Sequence, residues 1–224
     1  STMYVYYLPI TFSKWEQIDT YLFNYVSPER QEKITQFVFT EDKKLALYSG
    51  LIIRWALSNM IGISADELLF HSEPNQKPVL FPKSNIDFSI SHTRNAILCC
   101  LSSNAFVGAD IEKNITAPLE IMKYCFHPEE IEYVKNSSLN SANFRFYEIW
   151  TRKEAYTKAI GTGLSENLSS INTLNSYYTS NFHTWSEDDY ICSIFSSQPF
   201  KHFSVTTLSE SFISSFFFSN HISP

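Results

Sequence analysis

Glycine, charge and long apolar runs are all scarce in this chain of 224 residues. It holds five glycines, and charged residues make up 18% of it, which excludes a collagen-like, disordered or coiled-coil chain. The apolar run Ala96–Leu101 is far shorter than the roughly 20 residues of a helix that crosses a bilayer. Basic residues number 17 against 23 acidic ones, so we expect no nucleic acid and no membrane among the partners.

The four cysteines lack the spacing of a metal site. No CxxC pair or histidine–cysteine cluster is present, and Cys99 and Cys100 lie in an apolar run, as buried strand residues do. This usage favours a reduced, cytoplasmic protein. The first positive charge is Lys14, so the chain shows no basic n-region and we expect no signal peptide.

Two helical stretches of similar pattern indicate two similar halves. Ser27-Pro28-Glu29-Arg30 and His127-Pro128-Glu129-Glu130 both have the pattern of a helix start, and later helices end at Ile61-Gly62 and Ile160-Gly161. We therefore predict an α+β fold, a pseudo-dimer of two halves that span residues 1–104 and 105–224, each a small antiparallel sheet packed with helices. The alternative is that any α+β protein shows such echoes.

Short apolar segments predict the strands of these halves. Segments 68–71 and 79–81 are strand candidates, and segments 87–91 and 96–102 predict a hairpin. Phe88–Ser91 is echoed by Phe203–Thr206, and an apolar segment follows each of them. The sequence thus predicts that residues 203–206 belong to the second half.

Positive charge is concentrated in the first half. From Ala159 to Pro224 the only lysine or arginine is Lys201, whereas the helices of the first half carry several basic residues. A site in the cleft between the halves could therefore pair a basic wall with an acidic one.

The segment Val107–Glu112 places two carboxylates on one face of a strand. Because side chains alternate along a strand, Asp110 and Glu112 share a face, and Gly108 leaves room beside them. Adjacent carboxylates repel each other unless a cation lies between them, and hard oxygen ligands suit Mg²⁺. The alternative is a solvent-exposed polar face.

Trp150, Glu154 and Lys158 are spaced by four residues on the later helix and therefore share one stripe. Glu154 could supply a third metal ligand, and Lys158 could reach a phosphate beyond it. The alternative is an ordinary surface pair of glutamate and lysine.

Further polar residues lie where a ligand could be met. Ser91 and His92 end a predicted strand, Lys77 lies on the loop before it, and Arg30 and Lys33 are three apart on a helix. Taken singly, a histidine at a strand end is more often structural, and two such basic residues usually form a solvated face.

Together these motifs resemble those of one known family. Lys77-Pro78, Phe88-Ser89-Ile90-Ser91-His92, Val107–Glu112 and Trp150–Lys158 occur in the order and spacing typical of one family. The chain resembles the 4′-phosphopantetheinyl transferases of the surfactin-synthetase-activating type, from about Val26 to Leu164. That family is a pseudo-dimer of two α+β halves with its active site in the cleft between them.

The resemblance implies an activity. Such enzymes move the phosphopantetheine arm of coenzyme A onto a serine of an apo carrier protein and release 3′,5′-ADP. By this resemblance, Asp110, Glu112 and Glu154 would hold Mg²⁺, or Mn²⁺ in its place. Lys158 would contact the pyrophosphate, and Glu130 would be the general base. The residues expected to bind the nucleotide end of coenzyme A are Arg30, Lys33, Lys77, Ser91 and His92, with Asp110 and Lys158 beside them.

Some positions depart from the family pattern. Gln76 replaces a glycine, and Leu45 and Ala46 replace polar residues that help to bind the 3′-phosphate, for which Lys43 or Lys44 could substitute. Two other function classes fit parts of the pattern: a Mg²⁺ phosphotransferase or nuclease with three carboxylates, and a module that only binds coenzyme A or carrier proteins. The acidic balance opposes a nuclease, and the gathered carboxylates oppose a mere binder. A chain with two halves is expected to act as a monomer.

Overall fold

A computed structural model describes residues 2–11, 14–71, 78–81, 84–161 and 167–221. The predicted α+β class is confirmed, with two antiparallel-rich sheets packed with helices. The larger sheet has the order β4-β5-β1-β9 and the smaller one β6-β8-β7. Their strands are β1 (Met3–Pro9), β4 (Ile86–Thr93), β5 (Ala96–Ser103), β6 (Val107–Lys113), β7 (Phe182–Glu187), β8 (Tyr190–Ser196) and β9 (Phe203–Thr207). A separate two-stranded ribbon pairs β2 (Leu69–His71) with β3 (Val79–Phe81).

Seven α-helices cover the outer faces of the described part of the chain. They are α1 (Gln17–Leu22), α2 (Pro28–Gln36), α3 (Thr40–Ile61), α4 (Met122–Cys125), α5 (Pro128–Lys135), α6 (Leu139–Ile160) and α7 (Glu210–His221). The long helices α3 and α6 both end at a glycine in the left-handed region, Gly62 with φ +82° and Gly161 with φ +71°. Only glycine adopts that conformation without strain, which explains why both helices stop there. None of the described helices is long and apolar enough to cross a membrane.

The two sheets pack face to face, and each carries a long helix on its other side. Alternation along β1 sends Val5 and Tyr7 toward the smaller sheet and Leu8 toward α3. Ala109 and Ile111 of β6 face the larger sheet. Helix α6 covers the opposite face of β6, where a Cβ on Gly108 would lie 1.7 Å from the carbonyl oxygen of Ala155. The room that the sequence indicated at Gly108 is therefore filled by the helix backbone.

The end of the chain differs from the sequence prediction. Residues 203–206 were expected in the second half, but β9 pairs in parallel with β1 in the larger sheet. The segment around Phe212 belongs to α7, whose residues Ile213 and Phe217 are buried in the core under α3. Residues 203–206 therefore extend the larger sheet rather than the smaller one. The hairpin of the smaller sheet is β7–β8 instead.

Candidate active site

The edge of β6 lies against β4, where the two sheets meet. Alternate side chains of β4 accept hydrogen bonds from backbone N–H groups of β6: Val107 donates to Asp87 Oδ2 at 2.8 Å, Ala109 to Ser89 Oγ at 3.1 Å and Ile111 to Ser91 Oγ at 3.4 Å. Side chains of β4, rather than backbone carbonyls, thus accept the hydrogen bonds of these β6 N–H groups. Strand β6, which carries the predicted metal ligands Asp110 and Glu112, therefore lies beside the first half.

Asp110 is the most confined carboxylate at this junction, with 4% of its surface exposed. Its Oδ1 accepts hydrogen bonds from Ser91 Oγ at 3.0 Å and from Lys158 Nζ at 3.2 Å. Its Oδ2 is buried and has no hydrogen-bond partner. A buried carboxylate oxygen without a partner is unfavourable unless a cation or proton joins it.

The electrostatics agree with this geometry. Burial raises the pKa of Asp110 to about 7, with further increments from the charges of Glu112 and Glu154 and a decrement from Lys158. Burial also raises the pKa of Glu112, which the side chain of Trp150 opposes by a hydrogen bond, and the pKa of Glu154, which Lys158 opposes. The three predicted ligands therefore repel one another through their charges, and Lys158 offsets only part of that repulsion.

The carboxylates do not form a finished metal cage. Among the described residues, no group of three or more histidine, cysteine, aspartate or glutamate side chains is arranged so that it could hold a metal ion. The partnerless Oδ2 of Asp110 nevertheless fits a hard cation, because it is an oxygen donor with nothing else to bind.

A cavity of about 500 Å³ adjoins these residues and is lined by four basic side chains. They are Arg30, Lys33, Arg54 and Lys158. Burial first, and then the charge of Arg54, lowers the pKa of Arg30; burial and the charge of Arg30 lower the pKa of Lys33. Cations that depress one another's pKa make a site for an anion, because a bound anion relieves their repulsion.

The predicted nucleotide-binding residues do not all lie at the same cavity. Arg30 and Lys33 line the cavity, whereas Ser91 follows the lining residue Ile90 and donates a hydrogen bond to Asp110. His92 lines a second cavity of about 430 Å³ with Asp42 and Arg94, and burial and the cations Lys33, Lys158 and Arg30 lower its pKa. Lys77 lies outside the described residues.

The predicted general base lies away from this cavity. Glu130 is 0% exposed; its Oε1 is 2.8 Å from Lys153 Nζ and accepts from the backbone N–H of His127 at 2.9 Å. Its Oε2 accepts from the N–H and hydroxyl of Thr173, at 3.0 and 2.6 Å. The carboxylate is thus fully engaged inside the fold, which favours the alternative that it serves the start of α5.

Lys44, one proposed substitute at the 3′-phosphate position, is also engaged. It is buried and pairs with Asp19 at 3.3 Å and with Glu210 at 3.8 Å. Leu45 and Ala46 are buried in the core under the larger sheet. Lys44 is therefore unavailable to a phosphate in this structure.

Two contributors to the cavity were not among the predicted binding residues, although the sequence counts Arg54 among the basic residues of the first half. Arg54 lies on α3 among apolar residues and donates to the carbonyl oxygens of Ala65 and Leu68, both at 3.0 Å. Gly50 leaves the surface of α3 open to Arg30, since a Cβ there would lie 2.4 Å from Arg30 Cδ. A basic residue inside an otherwise apolar helix was the one signal that could have pointed to Arg54.

Comparison with known proteins identifies the family. Residues 106–217 match the model of the 4′-phosphopantetheinyl transferase superfamily, and residues 13–104 match that of the 4′-phosphopantetheinyl transferase N-terminal region. The chain therefore belongs to the 4′-phosphopantetheinyl transferase superfamily, and the resemblance inferred from the motifs is confirmed.

Several relatives carry the same description. The 4′-phosphopantetheinyl transferase gsp of Aneurinibacillus migulanus is 34% identical over 152 residues, which cover 66% of this chain and 63% of that protein. The 4′-phosphopantetheinyl transferase Sfp of Bacillus subtilis is 29% identical and covers 63% of each chain. The L-aminoadipate-semialdehyde dehydrogenase-phosphopantetheinyl transferase of Rattus norvegicus is 32% identical, over 62% of this chain and 49% of that protein. The matched region thus spans from about half to just under two thirds of each relative's length.

Proposed function

We propose that this protein transfers the 4′-phosphopantetheine group of coenzyme A to a serine hydroxyl of an apo carrier protein or carrier domain and releases 3′,5′-ADP. One observation supports this most: a cavity is lined by four basic side chains, and one of them, Lys158, also binds Asp110, whose other carboxylate oxygen is buried without a partner. Phosphoryl-type transfer requires such an arrangement, because it depends on positioning and on charge stabilisation more than on covalent chemistry.

The basic side chains are proposed to bind the phosphates of coenzyme A. Arg30, Lys33 and Lys158 line the cavity, and their mutual repulsion falls when an anion binds. Lys77, Ser91 and His92 complete the set that the resemblance implies for the nucleotide end.

The carboxylates are proposed to hold a divalent cation. Asp110, Glu112 and Glu154 would hold Mg²⁺, or Mn²⁺ in its place, and the partnerless Oδ2 of Asp110 supports that role. When bound, the ion would neutralise charge that develops on the pyrophosphate. Lys158 donates a hydrogen bond to Asp110 Oδ1 and also lines the cavity.

Glu130 is proposed to anchor rather than to accept the serine proton. Its carboxylate binds Lys153 and Thr173 together, which ties α5 to the segment after α6. The base role that the resemblance implies is tested below by Glu130→Gln.

Partner and location follow from this chemistry as proposals. An apo acyl, peptidyl or aryl carrier domain would supply the serine, and the chain would act as a monomer in the cytoplasm. Cys99, Cys100 and Cys192 are buried among apolar residues, as cysteines of a reduced protein commonly are.

The direct test is incorporation of the arm. The protein is incubated with coenzyme A, Mg²⁺ and an apo peptidyl carrier domain, and the carrier is examined by mass spectrometry. We expect a phosphopantetheine adduct that disappears with EDTA and with a carrier whose serine is replaced by alanine. No adduct on acyl, peptidyl or aryl carriers would overturn the proposal, and hydrolysis of coenzyme A without a carrier would favour another phosphotransferase.

A further inference from the structure

The polar face of β4 contains three side chains that hold the edge of β6, and one of them differs from the others. Asp87, Ser89 and Ser91 each accept a backbone N–H of β6. Ser91 also contacts the carboxylate of Asp110, to which its hydroxyl donates at 3.0 Å. Ser89 and Ser91 are equally buried, at 5% and 6% exposed. The two serines therefore share their burial and a contact with the β6 backbone, but Ser91 contacts Asp110 whereas Ser89 lines the cavity.

That contact makes the two carboxylate oxygens of Asp110 differ in their hydrogen bonding. Oδ1 has two donors, Ser91 Oγ and Lys158 Nζ, whereas Oδ2 has none. A carboxylate held at one oxygen cannot rotate freely about its own axis, so the other oxygen stays available in a fixed place. Because the Ser91 proton is already given to Asp110, this hydroxyl has no donor left for a phosphate.

We propose that Ser91 is a positioning residue that orients Asp110 for a divalent cation, rather than a direct ligand of the nucleotide. The inference rests on the proposed function, since it assumes that Asp110 binds Mg²⁺ or Mn²⁺. Side chains that hydrogen-bond a metal ligand commonly change metal affinity by 10- to 100-fold when they are removed, because they set the ligand's orientation.

The test compares three variants of the full chain. Ser91→Ala removes both contacts of the hydroxyl, Ser91→Thr keeps the hydroxyl, and Ser89→Ala is the matched control that removes only a contact with the β6 backbone. Mg²⁺ affinity is measured by calorimetry and Mn²⁺ affinity by paramagnetic resonance, without coenzyme A. Thermal unfolding in EDTA checks that every variant is folded.

We expect Ser91→Ala to weaken Mg²⁺ and Mn²⁺ binding by about tenfold or more, with Ser91→Thr close to the unsubstituted protein. Ser89→Ala should leave both metal affinities within about twofold, although both alanine variants lose similar thermal stability. In the transfer assay, excess Mg²⁺ should restore the kcat of Ser91→Ala.

Two results would overturn the inference. One is an unchanged metal affinity in folded Ser91→Ala, and the other is a selective loss of coenzyme A affinity, which would make Ser91 a direct nucleotide ligand. Both results leave the proposed transferase function intact if the unsubstituted protein still modifies a carrier. A protein that neither binds Mg²⁺ nor modifies any carrier would instead overturn the proposed function and this inference together.

Discussion

Asp110 is a buried carboxylate whose charge is unfavourable while no cation is bound. Its folded-state pKa of about 7 lies above the value of about 3.9 for an unfolded chain. The folded state therefore binds this proton more tightly than the unfolded state. The resulting stabilisation is fully present below about pH 4 and is lost as the pH rises through about 7.

Asp110→Asn should remove this loss of folding stability at high pH, because the amide cannot ionise. In metal-free buffer above pH 7 we expect the variant to be more stable than the unsubstituted protein, by up to about 4 kcal/mol. Urea unfolding in EDTA at pH 5 and pH 8 measures it, with the exposed Asp189→Asn as control. Equal pH slopes for Asp110→Asn and the unsubstituted protein would show that Asp110 is not the group responsible. Transfer activity should be lost in Asp110→Asn at both pH values.

Substitution of Glu130 distinguishes an anchoring role of this residue from a catalytic one. Removing its charge leaves Lys153 buried without a counter-charge, and burial already lowers the pKa of Lys153. We expect Glu130→Gln to lower the free energy of unfolding by about 3 kcal/mol, and kcat of the folded protein to keep its pH profile. Chemical unfolding and kcat between pH 6 and 9 measure both quantities.

The neighbouring Glu129→Gln is the matched control for that experiment, because Glu129 is exposed on the same turn. It should change stability by only a few tenths of a kcal/mol. A stable Glu130→Gln protein whose kcat falls sharply, with a loss that eases at high pH, would instead make Glu130 the general base.

At the scale of elements, the middle of α3 is shaped to seat Arg30. Gly50 lies inside this helix, where alanine would ordinarily stabilise by about 0.5–1 kcal/mol. A Cβ there would lie 2.4 Å from Arg30 Cδ and 2.9 Å from Val26 Cγ1, so Arg30 would have to move. We expect Gly50→Ala to weaken coenzyme A binding while stability stays within about 1 kcal/mol.

A double-mutant cycle checks this prediction by calorimetry with coenzyme A. Once Arg30→Ala has cleared the space, adding Gly50→Ala should weaken coenzyme A binding no further. If the two losses of affinity simply add, Gly50 does not act through Arg30.

The sequence predicts a helix from about Glu41 to Ile61, and α3 begins one residue earlier, because its apolar spacing and Gly62 are local signals. It predicts that the later helix begins near Phe144, five residues after the true start of α6, because residues 139–143 carry no buried apolar stripe and Leu139 is 96% exposed. The roles of Gly50 and Arg54 at the cavity were not predicted, because their helix otherwise has the pattern of a core helix. The position of β9 was missed because a strand pattern does not specify its partner.

At the scale of the molecule, the first half is incomplete without the end of the described chain. Strand β9 pairs with β1, and Leu208, Ile213 and Phe217 are buried in the core under α3. We therefore expect a fragment of residues 1–104 to unfold without cooperativity and to expose apolar surface. Circular dichroism and dye binding measure this, and addition of a peptide of residues 203–221 should restore part of the ordered signal. A cooperative transition in the fragment alone would show that the half folds independently.

The parallel pairing of β9 with β1 also sets an order of events on the ribosome. At 5–20 residues per second, synthesis reaches residue 203 roughly 5–20 s after residue 104 has been added. During that interval β1 has an unoccupied edge, and the apolar surface that will receive α7 is open to other nascent chains or to a chaperone. Since the larger sheet is not complete until residues 203–221 have been added, the part of the site that the first half supplies should mature only after the strands and helices of the second half have been synthesised.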